Sequence, residues 1–558
     1  MTDTTQTILS LKSDEVLKYF LNSRQYHGFE LPEYYNFDAV LQFVKDTVAD
    51  KPYEECINQN PANVTDVNLG ILLNKDGHYA VRPLMLANPY LYYFLVRELS
   101  TNWDAIKYCF GNYRVPTIEA CSIPLVERGK EEFFNGVTVL NWWRNMECKS
   151  VELSLDYRYM FVTDITNCYG TIIPQSIDWA LSLKGTKSET DSNKTLAANI
   201  KTLLRVMQKG HNIGIPQGSA VFDFVAEVVL GYSDLLLYEA IEADTDITAD
   251  YRILRYRDDY RVFCNDKDQL EHISFHLQEV LESLNFRMNS KKTKMSDSII
   301  TDSIKPEKLD YIYNTPVVNK DWCAFRGLEK HLLYILMFSR RHPNCGYLKV
   351  LLSDFDKRVI ETLKPHRVEL ISSVDLSQLF CDSDNELNEK PEEDKQEKAP
   401  EPRYIERPGR IVESVRALAA IATQIAVENV SSVPYALRVI SRMVNSVKDE
   451  AEKWSIFMGV VRKLRKLPNS NYTQLWLQHI TYQVERIQGV APYPMRLCQL
   501  VSGKDVDVWN NSWLMPQLTE GFPIETVADR EKLKKLTPVI EFVERYTYDS
   551  DVEPEEGE

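Results

Sequence analysis

The chain has 558 residues, of which 44% are hydrophobic and 11% aromatic, which excludes a wholly disordered protein and gives length for about two to four domains. Its formal net charge of −16 at pH 7 is unusual for a protein that binds nucleic acid. Most of that charge lies in residues 381–402, with nine acidic residues and three lysines, and in residues 546–558, with six acidic residues and no base. The remainder of the chain is therefore still free to form a local basic groove.

The sequence carries no signal for membrane insertion, for a disulfide framework or for a zinc site. No uncharged apolar run reaches the ~18–20 residues that cross a bilayer, and the N-terminus lacks a basic-then-apolar leader pattern. The ten cysteines include no C-x-x-C pair. We therefore expect a cytoplasmic protein that makes no membrane contact.

In chain order, residues 1–70 are predicted to form an N-terminal helical segment, with helix starts near Ser13 and Phe37. A short strand over Tyr79–Leu84 follows. A helix then opens at Pro89, where the missing N–H of proline costs little. Nothing in these segments alone indicates a function.

Residues 151–315 alternate short apolar runs with long helical patterns. The expected order is a strand over Tyr159–Ile165, a helix over Ser219–Ala240, a hairpin over Arg252–Cys264, a helix over Asp268–Leu284 and a final strand. This order predicts an α+β sandwich with an antiparallel sheet and helices on one face.

Three carboxylates mark this region. Asp164 ends the first strand, and Asp258 and Asp259 form the hairpin turn, where two adjacent like charges without a glycine are unfavourable. In the predicted sheet the three acids meet at one edge although they are distant in sequence. A hard divalent cation such as Mg²⁺ is the expected partner. A lone acidic pair is more often an exposed turn, so the interpretation depends on its neighbours.

Four ordered patterns surround these acids. They are Asp164 followed by Tyr169, the turn Pro216-Gln217-Gly218-Ser219, the hairpin Tyr256-Arg257-Asp258-Asp259, and Leu284-Asn285-Phe286 followed by Lys291-Lys292-Thr293-Lys294. Together they resemble the palm motifs of reverse transcriptases. The phrases over 164–172 and 226–232 are similar to the bacterial defence-associated reverse transcriptases, which include the abortive-infection and unknown groups. The resemblance covers residues 70–490 and is strongest over 159–294.

This resemblance implies right-hand polymerase fingers and palm over residues 71–315. It also implies phosphoryl transfer with two Mg²⁺ ions per site, for which Mn²⁺ can substitute, about 3.5–4 Å apart. The metal ligands it assigns are Asp164, Asp258, Asp259 and the backbone carbonyl of Ile165. Lys292 would be the general acid for the leaving pyrophosphate, although an ordinary surface lysine is nearly as good an interpretation.

The resemblance also assigns the nucleotide contacts. Tyr169 lies where a bulky ring blocks a ribose 2′-hydroxyl, which favours deoxynucleotides. Gln217 and Gly218 would lie beside the nucleotide, and Tyr256 would pack near the primer end. Arg82 would hold the triphosphate through its planar donor fork, or it is a surface arginine of a hairpin.

The C-terminal half is predicted to be all-α. Apolar helices recur at about twenty-residue intervals, over Arg410–Val427, Pro434–Val447, Glu450–Leu467 and Tyr472–Ile487. They favour a HEAT-like helical-repeat domain over residues 316–500, interrupted by the acidic segment 381–402, which is expected to be disordered. Residues 501–558 form a C-terminal extension with an acidic tail.

The implied function is a DNA polymerase that adds dNTPs in antiphage defence, with or without a template and with a nucleic-acid or protein-tyrosine primer. Its implied partners are dNTPs, the DNA product, an RNA template or non-coding RNA, and further copies of itself in a homo-oligomer. Arg257 departs from the family, which commonly has a small or apolar residue there. Two alternatives stay open: an RNA-synthesising polymerase and a catalytically silent scaffold that binds nucleic acid.

Overall fold

The computed structural model describes residues 5–74, 81–127, 143–314, 327–343, 345–370, 403–407, 409–488 and 493–541. The strands are β1 (Thr5–Thr7), β2 (Leu69–Asn74), β3 (Val81–Leu86), β4 (Ile118–Ala120), β5 (Leu125–Glu127), β6 (Tyr159–Asp164), β7 (Tyr251–Tyr256), β8 (Asp259–Cys264), β9 (Lys294–Ser296), β10 (His366–Leu370) and β11 (Arg403–Arg407).

The α-helices are α1 (Ser13–Phe20), α2 (Ser23–Tyr26), α3 (Asp38–Val48), α4 (Tyr53–Cys56), α5 (Pro89–Thr101), α6 (Trp103–Tyr113), α7 (Lys149–Leu153), α8 (Cys168–Thr171), α9 (Pro174–Ser182), α10 (Lys194–Met207), α11 (Ala220–Ala243), α12 (Lys267–Ser283), α13 (Ile299–Ser303), α14 (Pro306–Asn314), α15 (Leu328–Arg341), α16 (Tyr347–Leu363), α17 (Val415–Glu428), α18 (Val433–Asn445), α19 (Glu450–Leu464), α20 (Asn471–Gln488), α21 (Arg496–Val501) and α22 (Arg530–Lys534). The chain thus has the predicted α+β class.

A five-stranded sheet with the order β4-β7-β8-β6-β9 forms the centre of the molecule. Strands β6 to β9 pair antiparallel, as predicted. The prediction of a wholly antiparallel sheet is wrong at one edge, because β4 pairs parallel to β7, with Ile118 opposite Ile253. A parallel pair needs a long crossover connection, and residues 121–250 lie between these two strands.

Side chains alternate between the two faces of this sheet. Phe161, Ile253 and Val262 belong to the large core, on which α11 and α12 pack. Their sequence neighbours lie in a smaller cluster on the opposite face, made of Cys121, Met146, Tyr157, Met160, Leu254, Tyr256, Phe263 and Ile299. Since α7 and α13 contact each other over this second face, the prediction of helices on one face only is also wrong.

Helix α11 is buried because it is apolar on nearly all sides. It follows the Pro-Gln-Gly-Ser turn and ends only at Ala243, so that it crosses behind the β7–β8 hairpin. Three acidic residues on this helix face the hairpin: Asp223, Glu227 and Asp234.

The two ends of the described chain pack against each other. Tyr35 forms a β-bridge with Ala528, and Ile57 forms another with Leu514. Both ends contribute to the same core as the sheet and the helices. The boundaries proposed for the segments 1–70 and 501–558 stay a prediction, and the acidic tail 546–558 lies outside the described residues.

Helices of the C-terminal half stack in two rows. Helices α15, α17 and α19 contact one another in one row, and α16, α18 and α20 in the other. The four predicted helices all occur, within a few residues of their expected ends. The antiparallel pair β10–β11 was not predicted. The segment 381–402 lies outside the described residues, and no described helix is long and apolar enough to span a bilayer.

Candidate active site

The three predicted acids meet at one edge of the sheet. Strand β6 pairs with β8 in a register that places Asp164 opposite Asp259. Tyr256 pairs with Asp259 across the hairpin, so Arg257 and Asp258 form its two-residue turn. The N–H of Ile165 donates to the carbonyl of Asp258 at 3.0 Å, which ties the turn to the end of β6.

The charges of these acids are poorly balanced. Asp164 is buried, its Oδ2 is paired with the ammonium of Lys292, and its Oδ1 has no hydrogen-bond partner among the described residues. Burial and then the charge of Asp164 raise the pKa of Asp258. Burial of the carboxylate and repulsion from Asp258 and Asp164 raise the pKa of Asp259 to about 6. The Asp259 residue as a whole is exposed to solvent, so repulsion from the neighbouring carboxylates contributes more to the raised pKa than burial does.

Lys292 supplies the cation at this edge. Its partial burial opposes the charged form, but the hydrogen bond and attraction to Asp164 outweigh that cost and raise its pKa. Its side chain is 64% exposed. The next residue, Thr293, shares a 2.7 Å hydrogen bond with Thr163 of β6, which holds the lysine segment beside the strand of Asp164.

The acids fit a hard divalent cation by their chemistry. Carboxylate oxygens are the ligands that Mg²⁺ prefers, and the buried, unpartnered Oδ1 of Asp164 has an unmet demand for a positive partner. The described side chains nevertheless hold no group of three or more His, Cys, Asp or Glu already gathered as a metal cage. Lys292 pairs with the other oxygen of Asp164, so a metal ion that used both oxygens would have to displace this lysine.

Tyr169 is held by a partner that was not predicted. Its hydroxyl donates to Asp223 Oδ1 at 2.7 Å. Asp223 Oδ2 accepts from Nη2 of Arg257 at 2.9 Å. Burial and the charge of Asp223 raise the pKa of Tyr169 well above its usual range, so the phenol stays a donor.

The Pro-Gln-Gly-Ser turn packs against β3 and the Tyr169 segment. The carbonyl of Gln217 accepts from the N–H of Met85 in β3 at 2.8 Å, and the carbonyl of Tyr169 accepts from the N–H of Ile215 at 2.9 Å. Gly218 has φ +127°, and a Cβ there would lie 3.1 Å from the carbonyl oxygen of Met85. The close approach that requires this glycine is therefore to the protein itself.

Two residues predicted to contact the nucleotide or the primer, Arg82 and Tyr256, have other neighbours in this structure. Arg82 is exposed on β3, three residues before Met85, and pairs in register with Leu73. Tyr256 is 9% exposed and packs in the smaller cluster, so its ring serves the core of the sheet in this structure.

A buried charge network behind the hairpin escaped prediction. Arg255 is fully buried, its Nη2 lies 2.7 Å from Glu227 Oε1, and its Nε donates to both oxygens of Asp234 at 2.8 and 2.9 Å. Ser122 donates to Glu227 at 2.8 Å. The sequence does contain a signal for this network. Asp223, Glu227 and Asp234 are acidic residues that share one face of a largely apolar helix.

No known family model matches the chain, and no curated protein matches it. Among solved structures, it is similar to an apo telomerase from Candida tropicalis truncated from its C-terminal domain, with 12% identity over 47% of this chain and 55% of that one, at a TM-score of 0.28. The longer apo telomerase from Candida tropicalis matches with 10% identity over 79% of this chain and 74% of that one, at a TM-score of 0.29. A Candida albicans telomerase in complex with a fragment of telomeric RNA matches with 8% identity over 78% and 67%, at a TM-score of 0.29. Likenesses this distant carry no argument about the present chain.

Proposed function

We propose that the chain is a reverse-transcriptase-like DNA polymerase that joins dNTPs by two-metal phosphoryl transfer. The observation that carries the proposal is the strand register that sets Asp164 opposite Asp259, with Asp258 in the adjoining turn. A chain gains no stability from gathering three repelling carboxylates, one of which has an oxygen without a partner in the described part of the chain. Such an arrangement is better explained by a cation that the site recruits for chemistry.

In this proposal Asp164, Asp258 and Asp259, with the carbonyl of Ile165, hold two Mg²⁺ or Mn²⁺ ions. Bound metal would stabilise negative charge on the attacking 3′-oxygen and the leaving pyrophosphate. Lys292 stands close enough to Asp164 to protonate or neutralise a leaving phosphate beside it. Arg82 would contact the triphosphate from β3, where its side chain is exposed.

Deoxynucleotides are the proposed substrates. Tyr169 presents a bulky ring five residues after Asp164, and its hydroxyl is fixed by Asp223 at 2.7 Å. A fixed ring rejects an added ribose hydroxyl better than a mobile one, because it cannot turn away at low cost. Gln217 and Gly218 would border the same nucleotide from the turn that packs on the Tyr169 segment.

The biological setting that we propose is antiphage defence in the bacterial cytoplasm, on the strength of the sequence phrases over 164–172 and 226–232. The partners in that setting are the DNA product, an RNA template or non-coding RNA, and other copies of the chain. Tyr256 would contact the primer end only if its ring left the smaller cluster, so we place it in a supporting role.

The test incubates the purified full chain with Mg²⁺ or Mn²⁺ and each labelled dNTP, with and without an RNA template and primer. We expect incorporation by the wild type and none by Asp258→Asn. Asp104→Asn is the matched control, because Asp104 is an exposed aspartate of α6, 94% accessible, that pairs only with the neighbouring Lys107 in the described chain. Incorporation that is equal in wild type and Asp258→Asn would refute the polymerase. Incorporation of CTP at the rate of dCTP would favour an RNA-synthesising enzyme instead.

A further inference from the structure

Asp223 connects the two segments that carry the catalytic acids. It lies in the first turn of α11 with a side chain 28% exposed. One of its oxygens accepts from the Tyr169 hydroxyl at 2.7 Å, and the other accepts from Arg257 at 2.9 Å. Both carboxylate oxygens therefore have a named partner, and each partner comes from a different segment of the site.

These two partners sit directly beside the acids. Tyr169 is in α8, the short helix that follows β6 and its terminal Asp164. Arg257 precedes Asp258 in the hairpin turn. A shift of the Asp223 carboxylate would therefore displace both the ring of Tyr169, proposed to discriminate the sugar, and the turn that carries Asp258.

The backbone conformation of Arg257 suits a glycine better than an arginine, so its side chain must explain its presence in the turn. Its φ of +54° lies in the left-handed region, which glycine adopts readily and arginine does not. The N–H of Arg257 donates to Ser122 Oγ at 2.9 Å, and Nη1 of Arg255 donates to its carbonyl at 3.4 Å. Glycine would ease the backbone but would lose the Asp223 ion pair, so the side chain contributes something that the turn conformation alone does not need.

We propose that Asp223 is a positioning residue that couples the sugar-discriminating ring of Tyr169 to the turn that carries Asp258. The proposal rests on the proposed polymerase function and deepens it. Loss of the carboxylate frees the ring and relaxes the turn together, so that discrimination against ribonucleotides and the rate of dNTP addition fall in the same variant. Loss of either partner alone separates the two effects.

A purely structural role is the competing explanation. An acidic residue in the first turn of a helix is favourable to the helix dipole whatever else it touches. Asp268 occupies the same kind of position in α12 and is exposed. Asp268→Ala is therefore the control for a helix that merely loses a first-turn charge.

The experiment compares kcat and KM for dCTP and CTP in wild type, Asp223→Ala, Asp223→Asn, Tyr169→Phe, Arg257→Gly and Asp268→Ala. We expect Asp223→Ala to lose about tenfold in both dCTP kcat and dCTP-over-CTP preference, the scale of a lost charged hydrogen bond. Tyr169→Phe should lose more in preference than in kcat. Arg257→Gly and Asp223→Asn should lose more in kcat than in preference. In both variants Tyr169 keeps an acceptor, either the Asp223 carboxylate or the asparagine amide oxygen, and only the contact to the turn is lost.

A second readout does not depend on turnover. Hydrogen exchange of the amides over 257–259 should accelerate in Asp223→Ala and Arg257→Gly and stay at the wild-type rate in Asp268→Ala.

If Asp223→Ala does not fold, the same measurements are made on Asp223→Asn and on the double variant Tyr169→Phe/Arg257→Gly. Unchanged preference and exchange in folded variants of an active enzyme would overturn the coupling alone, whereas an inactive wild type would overturn the polymerase and the coupling with it.

Discussion

Two groups of acids flank the β7–β8 hairpin, and they are built in opposite ways. Behind it, Glu227 and Asp234 surround the fully buried Arg255 with hydrogen bonds of 2.7 to 3.2 Å. At its tip, Asp164, Asp258 and Asp259 face one another and share Lys292, a lysine with a 64% exposed side chain. The first group is hydrogen-bonded within the protein, and the second leaves an oxygen of Asp164 without a partner among the described residues.

This difference indicates that the acids around Arg255 have a structural role, whereas the acids at the tip of the hairpin can bind a ligand. A buried acid whose partner is fixed can only hold the fold, because any ligand would have to break a desolvated ion pair. An acid whose charge is balanced by a solvent-exposed lysine can exchange that lysine for another cation at lower cost. The back group (Glu227, Asp234 and Arg255) therefore holds the hairpin in place. The tip group (Asp164, Asp258, Asp259 and Lys292) is available to bind a cation.

The largest effect expected at the tip is on catalysis. Asp258→Asn removes a charge from the proposed metal site and should reduce nucleotide incorporation by about 10³-fold or more, equivalent to several kcal/mol of transition-state stabilisation. Its thermal midpoint should not fall, because the change relieves repulsion. Quenched-flow incorporation alongside a melting curve measures both quantities. A variant with normal activity, or one that is inactive only because it unfolds, would contradict the division between the two groups.

The largest effect expected at the back is on stability. Arg255→Met leaves Glu227 and Asp234 buried without their cation and should cost about 3–5 kcal/mol of unfolding free energy. Urea denaturation measures it. The triple change Arg255→Met/Glu227→Leu/Asp234→Leu removes all three charges together and should recover most of the loss. A single variant as stable as wild type would show that the network does not support the hairpin.

These two groups also show what sequence reasoning could reach. Asp164, Asp258 and Asp259 were predicted because each sits at a strand end or turn, and strand ends that neighbour in a sheet must meet. The long apolar run of α11 and the periodic apolar residues of α12 and the C-terminal helices made their positions predictable as well.

What could not be predicted depends on how distant elements orient. The acids of α11 share one face, yet which of them meets Arg255 and which meets Arg257 depends on where the helix lies along its axis relative to the hairpin. That placement is set by packing along the whole helix and has no local signature. The parallel pairing of β4 with β7 is non-local in the same sense.

A smaller effect on catalysis is expected when Lys292, the cation paired with Asp164, is replaced. Lys292→Met should lower the rate of nucleotide addition by about 10–100-fold if the lysine serves as acid or counter-charge. Its stability should fall by about 1–2 kcal/mol, since the lysine is exposed to solvent but its partner Asp164 is buried and would lose its cation. Single-turnover rates with a poor and a good leaving group measure the catalytic loss, which should be greater for the poor one. Equal losses would assign Lys292 to binding only.

The smallest effect expected is in the pH dependence of stability, and it isolates the repulsion at the tip. The pKa of Asp259 is raised to about 6 from an ordinary value of 3.8, so its protonated form is favoured in the folded state. Its contribution to stability is thus complete below about pH 4 and is lost as pH rises through about 6.

Asp259→Asn cannot lose that contribution. In EDTA the variant should be more stable than wild type at pH 7 to 8, by less than about 1 kcal/mol because the residue is exposed, and the difference should vanish near pH 4. Asp234, whose pKa burial also raises to about 6, is present in both proteins and so cancels from the comparison. Paired melting curves from pH 4 to 8 measure the difference. A variant less stable than wild type at neutral pH would mean that Asp259 has a compensating cation in the protein, and the contrast between the open tip and the closed network behind it would be lost.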